Sequence, residues 1–224
     1  MRQKNRCASK TAVVFATAAL LFWPLTSAAR LGRSPNPSAG YVTPTTVVGS
    51  ASGVRATTLS ALGLLGGLGL TNTTVLSDTG TLAGTNDARD AFQTVGSVPS
   101  LLTAEVLSAS TFSYPNQVDS QSSLTNLGIT LPGVTIFADS IVAQASQIAG
   151  SAGTATTTIG TLSVNGIPVV LSGLPNQSIP IPGGQIVVNE QAISSTGSAV
   201  VNALHVTVSG VADLVIASAT AGIS

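Results

Sequence analysis

Residues 202–219 read NALHVTVSGVADLVIASA, two alternating apolar runs joined by a short polar bend at Ser209 to Asp213. Alternation with a period of two is typical of half-buried strands, and a bend between two such runs indicates an antiparallel hairpin. The second run opens with a phrase that occurs three times in the chain. The copies are AEVLSAST (104–111), ADSIVAQAS (138–146) and ADLVIASAT (212–220). The hairpin and its recurring strand predict an all-β fold.

Three more segments carry strand or turn signals. TLSVNGIPVVL (161–171) has two apolar runs joined by Asn165-Gly166, a residue pair that favours a type I′ hairpin turn. GGQIVVNEQAIS (183–194) has the pattern of another strand. PNQSIPIPGG (175–184) is too rich in proline for a central strand, so we expect it at an edge or in a crossing segment.

The recurring phrase belongs to a longer repeat of roughly 34 residues. Two sets of apolar residues follow the first and second copies at nearly the same spacing: Leu124, Leu127 and Ile129, and Ile159, Leu162 and Val164. The third copy follows its partner strand instead of preceding it, an order that suits a meander or Greek-key arrangement of related hairpins. A β-solenoid, the alternative, would show more copies at a stricter period. We therefore predict an antiparallel β-sandwich of repeated hairpins.

Strand alternation also predicts which side chains of the repeat are buried. The buried sets are Ile141, Ala143 and Ala145 in the second copy, Val215, Ala217 and Ala219 in the third, and Leu204, Val206 and Val208 opposite them. The small residues among them would let two layers approach closely.

One short helix is expected within this β-fold. The stretch TNDARDAFQTVGS (85–97) offers Asn86 or Asp87 as an N-terminal cap and Gly96 as a stop signal. The earlier stretch LSALGLLGGLGL (59–70) is too short to span a membrane and too rich in glycine for a stable helix. We expect it to form a buried strand and a turn.

The N-terminus has the layout of a secretory signal peptide over residues 1–29. Four basic residues precede a mostly apolar run from Thr11 to Leu25, and TSAA (26–29) supplies small residues for cleavage. Residues 30–48 contain several prolines and no apolar periodicity, which indicates a flexible lead-in. Residues 49–224 are then a single β-rich domain with no transmembrane segment, and the protein is expected to be secreted.

Composition excludes several classes of function for the exported chain. Cys7, the only cysteine, lies within the signal peptide, so disulfides, thiolate metal sites and cysteine nucleophiles are excluded. From Ala91 to Ser224 there is no lysine or arginine. A nucleic-acid-binding protein needs basic side chains to neutralise phosphates, so we exclude nucleic acid as a partner.

Three acidic residues stand at matching places in or beside the repeats: Glu105, Asp139 and Asp213. We expect each to lie at the entrance of its strand. If the three entrances met at one end of a sandwich, their oxygens would suit a calcium ion. The simpler interpretation is that each acid is solvated separately, so no metal or cofactor site is predicted and the three residues are kept as calcium candidates.

His205 is the only histidine and hence the only ordinary general base in the chain. Alternation places it outward beside Ala203 and Thr207, where Asp213 could orient it. The inward set of this strand is expected to be Val200, Asn202, Leu204, Val206 and Val208. There is no G-x-S-x-G motif to supply a nucleophile, so the chain is not predicted to be an enzyme. A secreted hydrolase that uses His205 is the alternative.

The threonine pattern and the aromatic content of the chain give weaker signals. The alternating Thr154, Thr156 and Thr158 resemble the threonine ladders that order water in ice-binding proteins, although threonine is also a normal strand residue. Only five aromatic residues lie outside the signal peptide, so the core must consist of Val, Ile, Leu and Ala. The small number of aromatic residues does not suggest a sugar-binding site.

The C-terminal part resembles a known family. LTAEVLSAS, ADSIVAQAS, IGTLSVNGIPV, PNQSIPIPGGQIVVNEQ and VNALHVTVSGVADLVIASATAGI, within residues 50–224, are similar to the bacterial secreted family called choice-of-anchor P. The resemblance implies an exported bacterial protein with a variable C-terminal sorting signal and no known activity or site residues. The sequence stops at Ser224, directly after the last predicted strand, with no LPxTG-like motif, apolar tail or basic end. We therefore expect release or non-covalent attachment to the cell surface.

Together these observations predict a non-enzymatic β-domain with a structural or adhesive role at the bacterial cell surface or in the matrix. Its partner would be a component of the cell envelope or matrix. A calcium-dependent adhesion module is a further alternative.

Overall fold

The computed structural model describes residues 46–60, 70–195 and 197–224. These residues form thirteen β-strands and no helix. The strands are β1 (Val47–Ser60), β2 (Leu70–Asp78), β3 (Ala88–Val98), β4 (Leu102–Tyr114), β5 (Gln117–Leu131), β6 (Val134–Ile148), β7 (Thr154–Ile159), β8 (Leu162–Val164), β9 (Ile167–Pro168), β10 (Gln177–Ile181), β11 (Gly184–Ile193), β12 (Ser198–Val208) and β13 (Ala212–Ile223).

The strands of the described ranges pair into two antiparallel sheets. The first sheet has the order β10-β11-β12-β13-β1-β2. The second has the order β3-β4-β5-β6-β8-β9, and β7 pairs with β6 beside β8. The sheets lie face to face, with β13 against β5 and β6. Neither sheet closes into a barrel, and the predicted all-β antiparallel sandwich is confirmed.

The space between the sheets is filled by aliphatic side chains. Every buried hydrophobic residue in the described ranges is Val, Leu, Ile or Ala. Serines on the inner face of β5 also join the two layers, because Ser120 Oγ donates to the Thr220 carbonyl at 2.6 Å and Ser122 Oγ to the Ser52 carbonyl at 2.8 Å. Such close contacts require side chains as small as serine on the inner face of β5.

Each sheet is crossed by a row of irregular residues that interrupt the regular pairing. In the first sheet the pairing skips Ser77, Gly53, Ala217, Ala203 and Asn189 on neighbouring strands. In the second sheet it skips Thr94, Val106, Asn126 and Asp139. We call these two sets the kink rows. Ser77, Asn189, Ala217, Val106 and Asn126 have positive φ angles, as residues in β-bulges often do.

The kink rows change which side chains face the core. In β13 the buried hydrophobic residues before the kink at Ala217 are Ala212, Leu214 and Ile216, and from the kink onward they are Ala217, Ala219, Ala221 and Ile223. The predicted burial of Ala217 and Ala219 is therefore confirmed, whereas Val215 faces outward and is only half-buried. The predicted burial of the sets in β6 and β12 is confirmed: Ile141, Ala143, Ala145, Leu204, Val206 and Val208. Val200 and Asn202, expected inside, face outward because β12 changes sides at Ala203.

The helix predicted over residues 85–97 is wrong. Asn86 has a φ angle of 63° and belongs to a turn. Asp87 accepts hydrogen bonds from the backbone N–H groups of Ala83 and Ala88, and the chain then continues as β3, paired along its length with β4. The acceptors that resemble a helix cap therefore stabilise the turn before an edge strand.

The turns and the edge strand that the sequence predicts are present in the structure. Asn165 and Gly166 have φ angles of 50° and 74° between β8 and β9, as a type I′ turn requires. Gly210 is at the bend between β12 and β13, with a φ angle of 71°. The proline-rich segment forms β10, at the edge of the first sheet.

Several predictions concern the N-terminal part of the chain. The signal peptide and most of the lead-in lie outside the described residues. Val47 and Val48, assigned to the lead-in, belong to β1. Most of the stretch from Leu59 to Leu70 also lies outside the described residues; β1 ends at Ser60 and β2 begins at Leu70.

The Asn165-Gly166 turn gives a first testable expectation. Gly166→Ala should lower the free energy of unfolding by about 1 kcal/mol, because a Cβ disfavours the left-handed conformation. Space is not the reason, since nothing lies within 4 Å of the added Cβ. Gly84→Ala is the matched control, because its Cβ also meets open space but its φ angle is not in the left-handed region. Equal losses for the two variants in urea denaturation would contradict the assigned turn.

Candidate functional site

The three acidic residues considered for calcium lie in different places. Glu105 is on β4 and accepts a hydrogen bond from Asn126 Nδ2 at 2.7 Å. Asp139 is on β6 in the same sheet, and Asp213 is on β13 in the other sheet. Within the described ranges no three His, Cys, Asp or Glu side chains are grouped so that they could hold a metal ion. The three calcium candidates are therefore not brought together into one site.

The expected position at a strand entrance is correct for Asp213 but wrong for Glu105 and Asp139. β4 and β6 begin several residues earlier and run through the kink row of the second sheet. At the kink, Asp139 Oδ1 accepts a hydrogen bond from the Thr161 N–H at 2.8 Å, between the ends of β7 and β8. This bond is the main cause of the lowered pKa of Asp139. The carboxylate thus caps a break in strand pairing.

His205 is held between two carboxylates on the outer face of the first sheet. Its Nδ1 lies 2.9 Å from Glu190 Oε2, and its Nε2 lies 2.9 Å from Asp213 Oδ1. Asn202 Nδ2 donates to Glu190 at 2.6 Å and fixes that carboxylate. Because both carboxylates accept hydrogen bonds, the arrangement suits an imidazolium that donates from both nitrogens. Asp213 was expected beside His205, but Glu190 was missed.

The environment shifts both partners toward their charged forms. Burial alone would lower the pKa of His205, but the hydrogen bonds and negative charges of Glu190 and Asp213 together outweigh it and raise the pKa. Burial likewise favours the neutral form of Glu190, and the hydrogen bond from Asn202 with the interaction with His205 lowers its pKa overall. The cluster is therefore a charged clamp that links β11, β12 and β13.

We expect NMR titration to give His205 a pKa above its ordinary value of 6.5. Its resonance is unambiguous because it is the only histidine. The raised pKa adds stability that is fully present below pH 6.5 and is lost as the pH rises through the folded-state pKa. The lowered pKa of Glu190 adds stability that is present above its ordinary value of 4.5 and is lost as the pH falls. The melting difference between wild type and His205→Gln should hence be largest between these two values. A measured pKa at or below 6.5 would contradict the clamp.

The aromatic side chains form a second notable feature. All four aromatic residues in the described ranges lie on the outer face of the second sheet, with exposed fractions of 63% for Phe92, 41% for Phe112, 51% for Tyr114 and 46% for Phe137. Aromatic rings usually supply much of a core, since each buries a large apolar area. Here the core contains none of them within the described residues. We call this surface the aromatic face.

A shallow groove of about 340 Å³ crosses the aromatic face over β4, β5, β6 and β7. Two adjacent cross-strand rows line it, and each row takes one residue from each strand. The rows are Phe112, Asp119, Ser146 and Thr154, and Ser110, Gln121, Gln144 and Thr156. The threonines predicted to alternate on one face, Thr154, Thr156 and Thr158, are all exposed there.

Hydrogen bonds hold the long polar side chains of the groove in place. Gln144 Nε2 donates to Gln121 Oε1 at 2.9 Å. Gln117 Nε2 donates to both carboxylate oxygens of Asp119, at 3.0 and 2.8 Å. The amide nitrogen of Gln121 and further lone pairs on the oxygens point to additional hydrogen-bonding capacity along the groove.

No family model, no curated protein and no solved structure matches the chain. Within the part of the chain that the structure describes, no helix has the length and apolar character needed to cross a membrane.

Proposed function

We propose that this protein is an exported, non-enzymatic β-sandwich of the choice-of-anchor P type with an adhesive role at the bacterial cell surface or in the matrix. The signal-peptide layout and the repeated hairpins support export and family. The aromatic face supports adhesion and is the observation that carries the proposal.

The aromatic face supports adhesion because exposed rings are costly unless they meet a partner. Exposed aromatic and aliphatic side chains mark interaction surfaces, and aromatic residues are enriched in them. Besides its four rings, the face exposes Val95, Val106 and Ile148. A strand-based platform also presents these side chains at fixed spacing, which lowers the entropy lost on binding.

The hydrolase alternative is disfavoured by the clamp around His205. A general base needs a ring nitrogen that can take a proton from a nucleophile or water. Both ring nitrogens of His205 instead lie within hydrogen-bonding distance of carboxylates. The calcium-dependent alternative loses its support because Glu105, Asp139 and Asp213 are not grouped.

The proposal is tested by co-sedimentation of the exported protein with envelope and matrix fractions of the bacterium that produces it. We expect wild-type protein to sediment with one of these fractions. Replacing two rings at separate places, in the Phe92→Ser/Phe137→Ser variant, should weaken binding about tenfold or more. The matched control is Val48→Ser/Val75→Ser, which removes two exposed apolar side chains from the first sheet. Wild-type protein that stays unbound, or equal losses in both variants, would contradict the proposal.

A further inference from the structure

We propose that the groove across β4, β5, β6 and β7 binds a neutral polysaccharide chain. This inference rests on the adhesive function proposed above and names the ligand class of the same face. The sequence did not suggest a sugar-binding site, because it contains few aromatic residues and the groove depends on the register of four strands.

The shape of the groove suits an extended ligand. It runs across the strands and is lined by two neighbouring cross-strand rows over four strands. With strands spaced about 4.8 Å apart, the three intervals give a length of about 14 Å, enough for roughly three sugar rings in line. A shallow groove that runs across a sheet suits an extended chain better than a compact small molecule.

The lining of the groove combines an aromatic ring with polar side chains. Phe112 lies at one end of its row and is substantially exposed, so its ring can pack against the apolar C–H face of a pyranose. Gln121, Gln144 and Asp119 then supply amide and carboxylate groups that can bond to pairs of hydroxyl groups. An aromatic ring beside planar polar groups matches the apolar C–H face and the hydroxyl groups of a sugar ring.

The polar side chains of the groove are already held in place by hydrogen bonds. The hydrogen bond between the amides of Gln144 and Gln121, and those from Gln117 to Asp119, fix these side chains before any ligand arrives. Long side chains that are already ordered lose less entropy on binding. Thr154 and Thr156 extend the polar lining on β7, and both are exposed.

The charge of the face selects among polysaccharides. The charged residues in or beside the two rows are acidic, namely Asp119 in the groove and Asp90, which pairs with Ser110. Arg89 points to the opposite side of β3 and pairs with Asp87 at 3.1 Å. An anionic chain such as a polyuronate would be repelled and would find no cation, so the ligand is expected to be uncharged.

The test is affinity electrophoresis of the full chain in native gels. The gels contain a mixed-linkage β-glucan, an amylose, a galactomannan or, as the anionic probe, polygalacturonate. We expect retardation by at least one neutral polysaccharide and none by polygalacturonate. Phe112→Ala and Gln144→Ala should each weaken that retardation about tenfold. Val75→Ala and Gln185→Ala are the controls, because they remove an exposed apolar side chain and an exposed amide from the first sheet, away from the aromatic face.

Each outcome decides the inference. Loss in the two groove variants with retention in the two controls supports it. No retardation by any of the three neutral polysaccharides, equal loss in groove and control variants, or retardation by polygalacturonate alone overturns it. Co-sedimentation with the envelope or matrix is scored separately with the Phe92→Ser/Phe137→Ser variant. If co-sedimentation persists while the polysaccharides fail, only the ligand class is wrong, whereas failure of both removes the adhesive function as well.

Discussion

Truncating Leu107 to alanine is expected to lower the free energy of unfolding by about 2–5 kcal/mol. Leu107 is fully buried and follows the kink at Val106. Two glycines leave room for its branched end: a Cβ at Gly96 would lie 3.0 Å from Leu107 Cδ1, and a Cβ at Gly53 would lie 3.1 Å from Cδ2. Because glycines cannot fill the space that Leu107→Ala creates, the cavity should persist. Chemical denaturation measures the loss, and Val95→Ala is the exposed control on β3.

A double-mutant cycle tests the same contact more sharply. Gly96→Ala alone should be destabilising, since its Cβ is crowded by both methyl groups of Leu107 and by Leu76. In the Leu107→Ala background that crowding is largely removed, so the added methyl group should restore part of the stability. The two changes should therefore couple by about 0.5–3 kcal/mol. Strict additivity would mean that Leu107 does not occupy the space beside Gly96.

The second large effect is expected from enlarging an alanine of the repeat. Ala143→Leu should cost about 1–3 kcal/mol, because Ala143 is fully buried on the inner face of β6, which packs against β12 and β13. Asp139→Asn should cost less, since an asparagine oxygen can still accept the hydrogen bond from the Thr161 N–H. Thermal melts of the two variants give the ranking. The reverse order would mean that the acids, and not the small residues, are the reason for the repeat.

Val142→Leu is the control for Ala143→Leu. Val142 is the preceding residue of β6 and points to the outer face, where it is half-buried. Adding one methylene there should change stability little, because solvent accommodates the larger side chain. If Val142→Leu lowered the stability as much as Ala143→Leu, the outer face of β6 would be packed as tightly as the inner face, contrary to the structure.

Periodicity in the sequence was enough to predict the β-sandwich and many of its strands, but not β3 or the kink rows. Apart from glycine, asparagine is among the residue types that most readily adopt a positive φ angle, so Asn126 and Asn189 give a signal, whereas Val106 and Ala217 give none. The backbone kinks at Val106 and Ala217 because the neighbouring strands kink beside them. The position of each kink therefore depends on pairing between distant parts of the chain. Alternation counted from one end of β13 therefore predicted that Val215 is buried, whereas the buried residue in the structure is the next one, Ile216.

The predicted helix failed for a related reason. The segment that contains Asp87 has the local signals of a helix start, yet its backbone donors are satisfied by a turn and by pairing with β4. Secondary-structure propensity is a weak prior that such tertiary pairing overrides. The edge position of β3 also leaves much of the strand exposed, so its sequence has no strong apolar alternation.

The candidate site was only partly visible in the sequence. Alternation in SASTFSY (108–114) places Phe112 and Tyr114 on the face opposite Leu107 and Ala109, so the exposed rings could have been predicted. The groove could not, because it requires the register of four strands at once. Glu190 was missed for the same reason: its contact with His205 depends on the pairing of β11 with β12 across the kink at Asn189.

Hydroxyl-radical footprinting of free and envelope-bound protein tests the adhesive role of the aromatic face most directly. The four exposed rings, Phe92, Phe112, Tyr114 and Phe137, should be oxidised readily in the free protein. Buried aliphatic residues such as Leu107 and Ile141 should react little in either state. On binding, the rings should be protected while Val48 and Val75 on the first sheet stay reactive. Equal oxidation of the rings in the free and bound states would contradict the proposed function.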